Sequence, residues 1–133
     1  MTQVVDASAV VAALLDSGVD GLWCEEQLQA GALMAPHLLP IEVANIIRRT
    51  EARRAIDASE AAAAVHDLRR LAVDLVPFEA LAERAWELRA NLTIYDACYV
   101  AAAELCDGRL VTLDRRLASA PGPRCAVEVP PEP

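Results

Sequence analysis

Short β-branched runs alternate with longer stretches of helical period along this chain. Val4-Val5 reads as a strand ending at Asp6, and Ala7 to Leu15 as a helix. Gly18 and Gly31 bracket a second helix carrying Leu22, Trp23 and Leu28. Leu33 to Ala35 is a brief strand stopped by Pro36, followed by a helix from about Leu39 to Arg54. Asp57 or Ser59 caps the next helix, which runs to about Arg70. Val73 to Val76 is a strand ended by Pro77, Glu79 to Ala90 a helix with Leu81, Ala85 and Leu88 on one stripe. A further helix spans about Ile94 to Leu105, with Asp107-Gly108 as its stop. Leu110 to Leu113 is a strand, Asp114 to about Ala118 a short helix, and Val127 to Val129 an edge strand. Such alternation predicts an α/β fold: a mainly parallel sheet covered by helices on both faces. With no internal repeat and no linker, residues 1–133 are expected to form one domain ending in a Pro-rich tail from about 121 to 133.

Composition narrows the class. Of the 133 residues 55% are apolar, which excludes disorder, while eight prolines and broken periodicity exclude a coiled coil. The apolar stretch Ala7 to Leu15 is flanked by Asp6 and Asp16 with no preceding Lys or Arg, unlike a signal peptide, and is too short to span a bilayer. A cytoplasmic location is the expectation. Cys24, Cys98, Cys106 and Cys125 lack C-x-x-C spacing, and His37 and His66 have no neighbouring partner, so neither a zinc site nor a disulfide framework is indicated.

Charge changes the picture more. Twenty acids face twelve basic residues, all of them Arg, giving a net charge of −8 that disfavours unspecific binding to nucleic acid. Eight of the arginines nevertheless form adjacent pairs: Arg48-Arg49, Arg53-Arg54, Arg69-Arg70 and Arg115-Arg116. Each pair fits a solvated helix face as well as a local phosphate contact.

Four acids stand at the places where an open α/β sheet binds ligands, outside the carboxyl ends of its strands. Asp6 follows the first strand and Asp114 the run Leu110-Val111-Thr112-Leu113; Glu42 and Asp96 lie early in helices that reach the same rim. Taken singly, Asp6 and Asp114 fit helix N-caps, Asp96 a helix-dipole partner and Glu42 a solvated helix residue. Together they are harder to dismiss, because Glu42 and Asp96 sit in apolar surroundings where an unpaired charge is costly. With no Lys to neutralise them, a hard divalent cation, Mg²⁺ or Mn²⁺, is the natural counter-charge. A carboxylate-held metal pair about 4 Å apart can activate water and stabilise the leaving oxygen of a phosphodiester.

The segments Val5-Asp6-Ala7-Ser8-Ala9, Pro40-Ile41-Glu42-Val43-Ala44-Asn45, Tyr95-Asp96-Ala97-Cys98-Tyr99-Val100-Ala101 and Leu110-Val111-Thr112-Leu113-Asp114 together resemble the PIN domain. They are similar in particular to the toxin ribonucleases (VapC) of bacterial VapBC toxin–antitoxin pairs. Any one segment is weak; all four, in order and over nearly the whole chain, are specific. The resemblance implies a Rossmann-like three-layer sandwich with Asp6 and Asp96 as principal ligands of Mg²⁺ or Mn²⁺. Glu42 and Asp114 would complete the acidic pocket, and Ser8, Asn45 and Thr112 match positions of supporting polar groups. It further implies RNA cleavage by metal-activated water leaving 5′-phosphate and 3′-hydroxyl ends, inhibition by a small cognate antitoxin, and a homodimer or toxin–antitoxin hetero-oligomer.

Residue geometry adds detail. Cys98 lies about 200° from Asp96 around an ideal helix and so faces the core, whereas Tyr99 lies about 60° off the Asp96 direction. Tyr99 is expected to be a half-buried packing residue rather than a base-stacking platform, and Trp23 core or interface. Arg115 and Arg116, beside Asp114, are the best candidates to hold RNA phosphates. Phosphatases of the haloacid-dehalogenase type and receiver domains also cluster acids at strand ends, but ordinarily need a Lys, which is absent. The two separate His residues give no acid–base pair for a metal-independent ribonuclease. A non-catalytic PIN-like binding module is the alternative, with a phosphomonoesterase behind it.

Overall fold

The computed structural model describes all residues, Met1–Pro133. Five parallel strands, β1 (Gln3–Val5), β2 (Leu33–Pro36), β3 (Val73–Val76), β4 (Arg109–Val111) and β5 (Val127–Glu128), form one sheet in the order β3-β2-β1-β4-β5. The helices are α1 (Ala7–Leu15), α2 (Val19–Gln29), α3 (Leu39–Ala52), α4 (Ala58–Arg70), α5 (Phe78–Glu87), α6 (Ile94–Leu105) and α7 (Arg115–Ser119). The chain moves outward from β1 to β3, then returns to the other side of β1 at β4. Right-handed crossovers therefore put α1 to α4 on one face and α5 to α7 on the other. The packing agrees: α1 touches α2, α3 and α4, while α6 rests on α5 and on β1, β2 and β4. The result is the α/β three-layer sandwich anticipated from the sequence.

The central strands β1 and β4 carry apolar pairs because both their faces are covered: Val4, Val5, Leu110 and Val111 are fully buried, whereas the edge strand β3 exposes Asp74 and Leu75. In α6 seven consecutive residues, Ala97 to Ala103, are buried, so this helix crosses the middle of the sheet with mostly small side chains, Tyr99 being the large exception. Strand order reverses between β1 and β4, which opens a crevice at their carboxyl ends.

Several boundaries differ from the sequence reading. The helix α3 stops at Ala52 rather than Arg54, because Arg54 takes a left-handed conformation (φ 62°). The helix α6 ends at Leu105 as expected, and within its Asp107-Gly108 stop Asp107 is left-handed (φ 52°). Gly108 is needed instead for close approach, since a Cβ there would lie 2.3 Å from the Thr2 carbonyl oxygen. The helix α5 ends at Glu87, short of Ala90, and residues 88–92 form turns. No single helix is long and apolar enough to cross a membrane.

Candidate active site

Asp6 ends β1 and caps α1, and its carboxylate is held from three sides. Its Oδ1 accepts from the Ala9 amide at 3.0 Å and the Ser8 hydroxyl at 2.6 Å, and its Oδ2 accepts from the Thr112 hydroxyl. Thr112 follows β4 and is fully buried; its hydroxyl oxygen in turn accepts from the Asp114 amide at 3.0 Å. The Ser8 hydroxyl accepts from the Leu113 amide at 3.1 Å, and the Asp6 amide donates to the Val111 carbonyl at 3.1 Å. Ser8, Asp6 and Thr112 thus stitch together the two strand ends on either side of the reversal point. Asp6 is both the helix cap and the fixed centre of the site; the two readings of it do not compete.

The other three acids flank this centre. Asp96 sits in the first turn of α6, its amide capped by the Thr93 hydroxyl at 3.2 Å. Glu42 comes from α3 on the opposite layer, and its Oε1 accepts from the Tyr99 phenol at 2.6 Å. Asp114 caps α7, accepting from the Arg116 amide at 2.9 Å and the Arg116 Nε at 3.3 Å.

Electrostatics ties the four into a row. Burial raises the Asp6 carboxyl above the usual carboxylate range against its three hydrogen bonds, and Asp96 adds to the rise. Burial likewise raises Glu42, opposed by the Tyr99 hydrogen bond and reinforced by Asp6 and Asp96. Asp96 is raised by burial and then by Asp114. Only Asp114 is lowered: burial works against ionisation, but hydrogen bonds from the Arg116 side chain and backbone outweigh it. Burial and the neighbouring Glu42 carboxylate hold the Tyr99 phenol protonated, so it serves as a fixed donor.

The donor set is all oxygen, and its one cation is Arg116, bound to the outermost acid. Such uncompensated, mutually repelling carboxylates suit a hard divalent cation rather than zinc. As they stand, no three of them close into a finished metal cage. Beside Asp96 and Asp114 lies a polar cavity of about 310 Å³, bounded also by Asn91, Thr93 and Arg116.

Of the residues singled out from sequence, the structure brings together Asp6, Glu42, Asp96, Asp114, Ser8 and Thr112. Asn45 stands apart: it is exposed and accepts from the Arg48 Nε at 3.0 Å, with no bond to the acids. Arg115 turns away from the row, donating to the Pro130 carbonyl at 2.8 Å and pairing with Glu132 at 3.9 Å. Tyr99 is 2% exposed rather than half-buried, and its bond to Glu42 escaped the sequence reading. Thr93 was also missed, although Thr-x-x-Asp ahead of an apolar run is the spacing of a helix cap.

Comparison with known proteins places this geometry. A family model described as the PIN domain matches residues 4–123. The chain is 43% identical over 128 residues to the VapC ribonuclease Mb0985 of Mycobacterium bovis, covering 96% of this chain and 98% of that one. Its fold matches that of VapBC2 from Rickettsia felis, solved bound to a DNA fragment from their promoter, with TM-score 0.68, 12% identity, and coverage of 97% and 98%. It also matches VapBC-5 of the VapBC family of toxin–antitoxin systems from Mycobacterium tuberculosis, with TM-score 0.58, 18% identity, and 96% of each chain covered. This protein therefore belongs to the PIN domain family and, within it, to the VapC ribonucleases.

Proposed function

We propose that this protein is a Mg²⁺-dependent endoribonuclease, the toxin of a toxin–antitoxin pair, working in the cytoplasm. The observation that carries this reading is Asp6. It is a buried carboxylate locked between the ends of β1 and β4 by Ser8 and Thr112, inside a row of acids that no Lys neutralises. Carboxylates in such a setting are the groups that hold a hard divalent cation.

Asp6 and Asp96 would be the principal ligands of Mg²⁺ or Mn²⁺, with Glu42 and Asp114 completing the site. When bound, the metal supplies an activated water and charge stabilisation at the scissile phosphate. The chain's own residues do the rest. Ser8, Thr112 and the Ala9 amide fix both oxygens of Asp6, so little reorganisation is needed when the charge partner arrives. Tyr99 orients Glu42 from across the crevice. Arg116, with its side chain 93% exposed, is the one cation at the rim able to meet a phosphate. The antitoxin is the proposed inhibitor, and the apolar side chains of Ile41, Tyr95 and Phe78, which stay more than half exposed, support an assembly with a partner chain.

Purified protein and its Asp96→Asn variant, incubated with RNA with Mg²⁺ and with chelator, test the proposal. Cleavage is expected from the wild type with metal alone, and loss of at least about 100-fold in the variant, its fold checked by circular dichroism. Equal cleavage by both would assign the activity elsewhere.

A further inference from the structure

The polar cavity beside Asp96 and Asp114 is lined by residues of two kinds. On the catalytic side stand the two carboxylates. Asn91, Leu92, Thr93, Leu117 and Ala120 are the neutral lining residues of the cavity. The carboxylates repel a phosphate, whereas neutral lining residues accept an uncharged ring. The volume, about 310 Å³, is at the lower end of small-ligand sites and admits one nucleoside, not a duplex.

Asn91 is exposed and lines the cavity. An amide offers an acceptor and a donor side by side, which is how Asn matches a base edge, and RNA is read on unpaired bases. The ground behind it is firm. The amide nitrogen of Asn91 would lie 3.8 Å from a Cβ on Gly122, whose left-handed backbone (φ +109°) carries the loop past it. That loop is pinned by Arg84 donating to the Gly122 carbonyl at 2.9 Å and by the Arg124 amide donating to Glu104 at 2.8 Å.

We propose that this cavity holds one unpaired RNA base next to the scissile phosphate and that Asn91 reads its edge. The inference rests on the ribonuclease reading above and names the subsite that gives it sequence preference. The half-buried Leu92 supplies apolar contact for the ring, and the one cation of the lining, Arg116, meets the backbone where it leaves.

The experiment is cleavage of a randomised single-stranded RNA pool with Mg²⁺ by the wild type, Asn91→Ala and Asn91→Asp, with every cut junction sequenced. The wild type is expected to prefer one base at one position beside the cut. Asn91→Ala is expected to lower that discrimination about tenfold at this position alone, still cutting RNA. Asn91→Asp, an acceptor only, is expected to move the preference toward bases presenting an amino group. Wild-type cleavage with the same preference profile in all three proteins overturns the assignment and leaves the ribonuclease reading standing. Absence of metal-dependent cleavage by the wild type overturns both.

Discussion

The two ends of the acid row are built on opposite plans. At the Asp6 end the carboxylate is buried and each oxygen is claimed by a neighbour fixed to a strand end, with no cation near it. At the Asp114 end the carboxylate is one-third exposed and its partner is an arginine in open solvent. Burial raises the first above the ordinary carboxylate range, and hydrogen bonds from Arg116 overcome burial to lower the second. A fixed end holds its geometry whatever is bound; a loose end can exchange its partner as substrate arrives. In the proposed function, the row of four acids would combine a rigid anchor for the cation with an adaptable edge toward RNA.

The sharpest way to break this contrast is the same substitution at both ends. Asp6→Asn is expected to lower RNA cleavage by about 100-fold or more, and Asp114→Asn by about tenfold, measured as initial rates with Mg²⁺. Equal losses would mean that the ends are equivalent. Next in size is the frame around Asp6. Thr112→Val removes a buried donor, and is expected to cost about 1–3 kcal/mol in denaturant unfolding and about 10-fold or more in cleavage. Thr112→Ser, which keeps the hydroxyl, should restore most of both. The smallest effect belongs to the open end: Arg116→Gln is expected to change unfolding stability by less than about 0.5 kcal/mol, as for other exposed pairs. Its effect should appear as a higher KM for RNA with kcat nearly kept.

Most of the fold could be read from the chain because its local signals agree with one another. Val4-Val5, Leu33 to Ala35, Val73 to Val76 and the run around Leu110 are all strands, and the helices between them start where Asp6, Asp57 and Thr93 cap them. The acids were legible for the same reason, each being tied to the end of a strand or the start of a helix. What stayed hidden depends on side chains meeting across layers. The helical wheel gave Tyr99 its direction but not the α3 carboxylate that its phenol reaches. Arg115 and Arg116 look alike in sequence, yet one is spent on the C-terminal tail and the other on Asp114. Asn45, singled out by resemblance as a supporting polar group, is instead taken by Arg48. The end of α3 reads two residues too long because Arg54, a non-glycine residue, adopts left-handed backbone, whereas the end of α6 at Leu105 is read correctly.

Calorimetric titration of Mg²⁺ into the metal-free protein and its Asp6→Asn variant, near pH 5 in two buffers of different ionisation heat, asks directly whether the acids converge on one cation. Asp6, Glu42 and Asp96 have carboxyls raised by burial and by one another, so near this pH each holds more proton than an exposed carboxyl would. Binding should therefore release protons, weaken as pH falls further, and release fewer as pH rises toward neutrality and the acids are already ionised. The expected result is buffer-dependent heat in the wild type and binding at least about tenfold weaker in Asp6→Asn. Mg²⁺ binding of equal strength in both proteins, or none in the wild type, would contradict a cation site built around Asp6.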